Sequence, residues 1–396
     1  MTSKERHELR YQRRKLKREI KRRNFIQQFL DEQRCFGTLA LIESAKKCRK
    51  GVHWKPSVQA YLANLVINSR MSSRLIFSGK WRTKGFHEFN IVERGKPRHI
   101  KSVVFSERCI QRSLCDNFIT PILSHYLIYD NGATLKGKGT DFALNRVTEF
   151  LHKFYRKYGR NGYIFLFDFT HYFENINIDK LIEFVRHYIP DCLQRQMYEK
   201  FVSVFKKDGL GLGSQVSQIS AVFFANALDH LIKDKLGIKT YERYMDDGLI
   251  ICNSLEKLKE VIEQIEIMCK KLGIVLNKKK CQIIPLHKQF QFLKIRFFIT
   301  ETGKVVKRLT RKASTKERRK LKKFKEFVKQ GIMTREKVDN MFHSWLYSQK
   351  RGKNYHIKEN MIHFYNGLYD RYVPIKSSNR KQNHIYHDLR YLAKVA

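Results

Sequence analysis

The residues best suited to chemistry are two adjacent carboxylates, Asp246 and Asp247, in the run Arg243-Tyr244-Met245-Asp246-Asp247-Gly248. An apolar run, Leu249-Ile250-Ile251-Cys252, follows the glycine. Short apolar runs bounded by turn residues read as buried strands, so the pair is expected at the tip of a strand–turn–strand hairpin. Like charges side by side repel, and a buried pair needs a compensating cation. Hard carboxylate oxygens at a turn suit Mg²⁺. The competing reading is a solvated Asp-Asp turn, because turns favour Asp. A third carboxylate weighs against it. Asp168 ends the apolar, aromatic strand Tyr163-Ile164-Phe165-Leu166-Phe167, and Phe169-Thr170-His171-Tyr172-Phe173 follows. An acid at the end of a buried strand is costly without a partner. Beside Asp246 and Asp247 it would complete three carboxylates for two divalent ions, the arrangement that drives in-line displacement at phosphorus. Taken alone, Asp168 would read as a helix N-cap opening toward Asn175-Ile176.

Tyr244-Met245-Asp246-Asp247 resembles the Y-x-D-D box of reverse transcriptases, and Asp168 with Phe173 resembles their first palm motif. Gly213-Ser214-Gln215-Val216-Ser217-Gln218 lies between the two, in the family's order. The resemblance implies an α+β right-hand polymerase with fingers, an antiparallel palm sheet and a helical thumb. It implies copying of RNA into DNA with dNTPs and two Mg²⁺ ions. Carried over by position, Asp168, Phe169, Asp246 and Asp247 form the metal set, and Tyr244 and Met245 touch nucleic acid. Phe173 falls at the steric gate, where a bulky ring would collide with a ribose 2′-OH. Gly95-Lys96-Pro97-Arg98-His99-Ile100 resembles the G-K-x-R-x-I fingers motif of bacterial members, which makes Lys96 and Arg98 candidates for the nucleotide phosphates. Ser106 to Gln111 resembles the D-R-x-x-Q segment, with Glu107 replacing Asp. Lys280, the last of three lysines, falls where the family has a candidate general acid for the leaving pyrophosphate. Phe290 to Lys294 resembles the F-L-G primer grip, with Lys294 in place of glycine.

Most reverse transcriptases carry Q-G-x-x-x-S-P under the templating base pair. This chain has Leu212-Gly213, then Ser217-Gln218, which resembles the [ILV]-G-x-x-x-S-Q form of diversity-generating retroelement enzymes. That form implies misincorporation opposite template adenines and places Gly213 and Gln218 at the nucleotide. Defence-type bacterial reverse transcriptases also vary here. The resemblance covers roughly residues 90 to 365, where Ser344-Trp345-Leu346 resembles a thumb segment of group II intron and retroelement enzymes.

The elements that must position these residues can be read in order. Lys and Arg outnumber Asp and Glu 80 to 37, a formal charge of +43 over 396 residues, which attracts a phosphate backbone. Hydrophobic content of 42%, with 28 Phe and 19 Tyr, excludes a disordered basic tail. Eight cysteines without a C-x-x-C pair argue against a zinc ribbon and for buried thiols in a reducing cytoplasm. No stretch is apolar enough to span a membrane. Residues 1–74 read as a basic helical extension, with Leu9, Leu16, Ile20, Phe25 and Phe29 among Arg13-Arg14-Lys15 and Lys21-Arg22-Arg23, and a second helical region from Leu39 to Val66. Residues 75–303 read as fingers and palm. They hold a hairpin turning at Gly95 and Pro97, a flexible loop whose Lys136 and Lys138 would touch template, helices over 179–206, and a long apolar helix from Ile219 to about Leu236. Ser254 caps a further helix that Gly273 ends. Residues 304–373 read as the thumb, starting at a Ser314–Glu317 capping box. Leu321, Phe324 and Val328 face inward there, and Arg318, Arg319, Lys322 and Lys323 face duplex phosphates. The tail 374–396 carries no assignment.

The expected function is an RNA-directed DNA polymerase of a diversity-generating bacterial retroelement. Its partners would be an RNA template, the DNA product, dNTPs, a dedicated non-coding RNA and a small basic accessory protein. Antiphage defence with its own non-coding RNA is the second reading. A non-catalytic RNA-binding maturase or scaffold is the third.

Overall fold

A computed structural model describes residues 1–369 apart from 94, 207–208, 310 and 353, and without the side chains of 93, 96, 311, 312 and 350. The basic tail 374–396 lies outside the described residues. The chain divides into two compact units, Met1–Pro285 and Leu286–Ala396.

The first unit opens with α1 (Ser3–Gln27), started by a reciprocal capping box between Thr2 and Glu5. Its arginines and lysines stay in solvent except for the half-buried Arg22, and of its residues only Ile26 is buried. Phe25 stacks on His125 at 4.1 Å, and the Arg22 guanidinium sits over the Tyr188 ring at 5.3 Å. The second helical region is four short helices: α2 (Glu32–Phe36), α3 (Thr38–Cys48), α4 (Pro56–Ala63) and α5 (Leu65–Phe77). A two-stranded ribbon follows, β1 (Phe86–Glu93) against β2 (Lys96–Val103). Gly95 takes the left-handed backbone its turn demands, at φ +82°. Pro97 pairs with Val92 inside β2 rather than standing in the turn; in a ribbon of two edge strands a missing N–H is tolerated.

Helix α6 (Phe105–Leu114) runs through a π-helical turn into α7 (Thr120–His125), and α8 (Thr140–Tyr158) leads to β3 (Tyr163–Asp168). Next come α9 (Ile178–Tyr188), α10 (Leu193–Ser203), α11 (Gln215–Phe224), α12 (Asn226–His230), β4 (Tyr241–Tyr244), β5 (Asp247–Cys252), α13 (Leu255–Leu272) and β6 (Gln282–Pro285). Ser254 caps α13, and Gly273 at φ +77° ends it. The helix expected from Ile219 to Leu236 is interrupted. Ala225 departs to φ −83°, ψ 4°, and the segment past His230 becomes a π-helical turn. Side chains from elsewhere take the carbonyls of α11's last turn, and such intrusion breaks a helix without Gly or Pro.

Strands β3 to β6 make one antiparallel sheet in the order β4-β5-β3-β6. A single apolar core packs α9, α10, α11 and α13 against it, with Leu181, Val185, Phe201, Phe223, Val261 and Ile265 buried. The α+β class and the antiparallel palm sheet follow directly.

The second unit has the sheet β7 (Phe290–Phe292), β8 (Ile295–Ile299), β9 (Val305–Leu309) and the helices α14 (Arg311–Lys329), α15 (Arg335–Ser348) and α16 (Tyr355–Tyr369). Leu321, Val338, Phe342, Met361 and Tyr365 form its core. Helix α14 starts at Arg311, so Ser314 lies inside its first turn and the proposed capping box does not start the helix. Arg311, Lys312 and Ala313 favour helix and extend it backward. Phe324 and Val328 pack on the core, and Gly331 turns the chain at φ +72°. Leu293 and Lys294 form the β7–β8 turn at φ +46° and +68°; Lys294 accepts a backbone that glycine would adopt freely.

Candidate active site

The register of β3 against β5 pairs Asp168 with Asp247. The N–H of Phe169 donates to the Asp246 carbonyl at 3.2 Å, closing the strand end over the turn. The Phe169 ring is buried, and its backbone pairs with Leu276. Asp246 and Asp247 are half-buried and Asp168 is buried. Burial, and then the Asp168 charge, raise the Asp246 carboxyl above the ordinary range. Burial, then Asp246 and Asp168, push the Asp247 carboxyl up to about 7, and it shares a hydrogen bond with Asp168. Three carboxylates short of positive charge are thus held together.

Lys280 supplies part of that charge. Its ammonium donates to Asp168 Oδ2 at 2.6 Å, and Asn277 holds the same residue through an N–H to its carbonyl at 2.8 Å. Burial works against the Lys280 charge, but the hydrogen bond and charge of Asp168 outweigh it and raise its pKa. All three lysines of the run are exposed, and the ion pair to Asp168 marks the last of them as the one that reaches the site. Among the described residues no three His, Cys, Asp or Glu side chains stand as a finished ion site. Asp168 faces Lys280 instead. The donor set still fits hard divalent ions: carboxylates with raised pKa values are those that gain most from a cation.

The turn itself is strained. Met245 takes φ +57°, unusual for a residue with a side chain. Arg243 holds it, donating from Nη1 to the Met245 carbonyl at 2.9 Å. Arg243 is fully buried and forms a fork onto Asp229, Nε to Oδ1 at 2.7 Å and Nη2 to Oδ2 at 2.6 Å. Tyr241 donates to the same Oδ1 at 2.7 Å. Burial disfavours the Arg243 charge, and Asp229 more than offsets it. Sequence reasoning missed Asp229 and Arg243. The available signal was Tyr241-Glu242-Arg243-Tyr244, two charges between tyrosines in the strand that enters the hairpin; a charge buried there requires a partner.

Next to the turn, Glu242 is buried with neither carboxyl oxygen hydrogen-bonded among the described residues. Burial first, then the charge of Asp130, push it up to about 9. Asp130 itself is held by Arg146 and Lys233, each at 2.6 Å. Gly132 donates its N–H to the Arg243 carbonyl, and a Cβ there would lie 2.6 Å from Glu242 Oε1.

The β1–β2 ribbon reaches this site. Arg98 is exposed on β2, and its charge acts on Asp246. The side chain of Lys96 lies outside the described residues. The Lys101 N–H donates to the Leu212 carbonyl at 2.9 Å, and Gly213, at φ +118°, packs on the Ile100 side chain and the Lys101 carbonyl, where a Cβ would meet atoms at 3.2 Å. Ser214 caps α11 and donates to Gln111 Oε1 at 2.8 Å, while Gln218 is exposed in the first turns. Glu107 is buried and accepts from Thr83 and from the Lys84 N–H, so it ties the ribbon's approach to α6. Phe173 is half-buried, and its carbonyl accepts from the Leu210 N–H at 2.7 Å. Gly209 passes so close that a Cβ would lie 2.2 Å from the Glu174 carbonyl oxygen.

Tyr244 is half-buried and accepts from Thr140 at 3.5 Å. Lys136 is exposed. Lys138 turns inward, donating to the Tyr129 carbonyl at 2.6 Å and lying over the Tyr129 and Phe142 rings. In the second unit Arg318, Arg319, Lys322 and Lys323 are exposed along α14.

Paired acidic strand ends on an antiparallel sheet, faced by a basic ribbon, define the palm of a nucleotide-polymerising enzyme. The reverse transcriptase (RNA-dependent DNA polymerase) family matches residues 91–297. The chain belongs to that family, whose activity is RNA-directed DNA polymerisation. No curated protein matches it. Among solved structures it is similar to the apo telomerase of Candida tropicalis truncated from its C-terminal domain, at 15% identity and TM-score 0.44, over 61% of this chain and 60% of that one. It is also similar to the telomerase of Candida albicans in complex with a TWJ fragment of telomeric RNA, at 11% identity and TM-score 0.47, over 73% of this chain and 55% of that one. The chain thus spans less than two thirds of these structures. No described helix is long and apolar enough to cross a membrane.

Proposed function

We propose that this chain copies an RNA template into DNA from dNTPs, in a bacterial retroelement of the diversity-generating type. Asp168, the Phe169 backbone, Asp246 and Asp247 would hold two Mg²⁺ ions. When bound, such ions activate the primer 3′-OH and neutralise charge developing on the α-phosphate. Arg98 would orient the triphosphate, with Lys96 beside it. Lys280, kept protonated by Asp168, would exchange that carboxylate for the leaving pyrophosphate and give it a proton. The exposed lysines and arginines of α14 and α1 would hold nucleic acid through phosphates. A dedicated non-coding RNA and a small basic accessory protein would complete the assembly in the cytoplasm.

The observation that carries the retroelement reading is Leu212-Gly213 with Ser217-Gln218, which leaves Gln218 exposed at the start of α11. The test is primer extension with Mg²⁺ and dNTPs on a primed RNA, followed by sequencing of the product. Errors concentrated opposite template adenine are the expected result. Evenly spread errors would favour the defence reading, and no synthesis even with RNA co-purified from the host would favour the scaffold. A second expectation concerns sugar choice. Phe173→Ala should raise ribonucleotide incorporation relative to dNTPs by roughly tenfold or more, as the lost collision with a 2′-OH would allow. Parallel extensions with rNTPs and dNTPs measure it.

A further inference from the structure

The break between α11 and α12 is joined to both catalytic segments. The N–H of Ala225 turns to the Phe223 carbonyl, so the Ala221 carbonyl loses its helical donor. The Tyr172 hydroxyl fills that place, donating to the Ala221 oxygen at 2.6 Å. One residue on, the Val222 carbonyl accepts from Arg243 Nη2 at 2.8 Å. Tyr172 lies four residues after Asp168, and Arg243 three before Asp246. Both side chains are buried. Arg243 continues to the Met245 carbonyl inside the strained turn and, through Asp229, to α12.

We infer that Tyr172 and Arg243 are positioning residues, which latch the two carboxylate-bearing segments to one helix end and so set the spacing of Asp168 against Asp246 and Asp247. A hydroxyl and a guanidinium on adjacent carbonyls fix two strands to a common rigid reference. Neither touches a reacting atom. The inference rests on the polymerase reading above. Catalysis that depends on carboxylate placement loses rate when that placement loosens by a fraction of an ångström, while nucleotide binding through other groups is retained.

The test compares Tyr172→Phe and Arg243→Lys with Tyr198→Phe in the full chain. Tyr198 is also buried against α11, sharing a hydrogen bond with Ser220 at 2.7 Å, but is tied to neither catalytic segment. Steady-state primer extension is measured per active site by burst titration, with melting temperatures alongside. Tyr172→Phe should lower kcat roughly tenfold, with KM for dNTP within about twofold and folding retained. Arg243→Lys should lower kcat further, and Tyr198→Phe should keep wild-type kcat. Wild-type kcat per active site in Tyr172→Phe would overturn the latch, as would an equal loss in Tyr198→Phe. A wild-type chain that extends no primer even with RNA co-purified from the host would overturn the polymerase reading itself, and the latch with it.

Discussion

Asp246→Asn is expected to lower primer extension by at least about 10³-fold, because it removes a charged oxygen from the set proposed to hold the ions. The protein should nonetheless fold as well as the wild type. In metal-free buffer the neighbouring change Asp247→Asn should raise the melting temperature, since the native carboxyl is held against its tendency to protonate. The sign follows from its pKa, about 7 in the fold against an ordinary 3.8. Between those values the folded state binds more protons than the unfolded state, so native stability falls as pH rises through that window. The variant lacks this loss. Its advantage should be absent near pH 4, grow toward pH 7 and then level off. Thermal melts of both proteins across that range, with chelator present, check it. A variant that melts lower than wild type at pH 8 would show that Lys280 already relieves the repulsion. Adding Mg²⁺ should raise the wild-type melting temperature, and should do so less in Asp246→Asn.

Asp229→Ala should be the most destabilising single change away from the carboxylates. It strands a fully buried guanidinium, and breaking such a pair costs about 3–5 kcal/mol. For a unit of this size that corresponds to a fall in melting temperature of roughly 10 °C. Activity should fall too, since Arg243 also holds the Met245 carbonyl. The pair can be separated from its energetics by a double variant. Asp229→Ala with Arg243→Met removes both charges, and replacing a buried pair by apolar groups is often neutral. Recovery of stability without recovery of kcat is the expected outcome. It would assign the guanidinium to positioning rather than to folding.

Much of the site was legible because its chemistry is local. Strand, turn and carboxylate are contiguous around Asp246, and Asp168 ends a strand whose aromatic run announces burial. The caps at Ser254 and Gly273 are likewise read within a single turn of helix. Three features were not legible, each for a non-local reason. Asp229 stands 14 residues from Arg243, and only the packing of α12 under β4 brings them together. The break at Ala225 follows the apolar run Val222-Phe223-Phe224 with no Gly or Pro to mark it; the acceptors there are lent to Tyr172 and Arg243 instead. Lys138 sits in a glycine-rich loop that looks solvent-facing, yet Tyr129 and Phe142 offer its ammonium a carbonyl and two ring faces. Ser314 shows the opposite case, a plausible cap overridden by three good helix formers before it.

Glu242 changes how the chain's charge should be counted. Composition gives +43 by treating every Asp and Glu as ionised. With its carboxyl near 9, Glu242 stays neutral at physiological pH, held so by its surroundings rather than by any ion pair. Folding therefore draws a proton from solvent and carries it into the strand that leads to the Asp246–Asp247 turn. The heat of unfolding includes the return of that proton to the buffer, so its magnitude depends on which buffer accepts it.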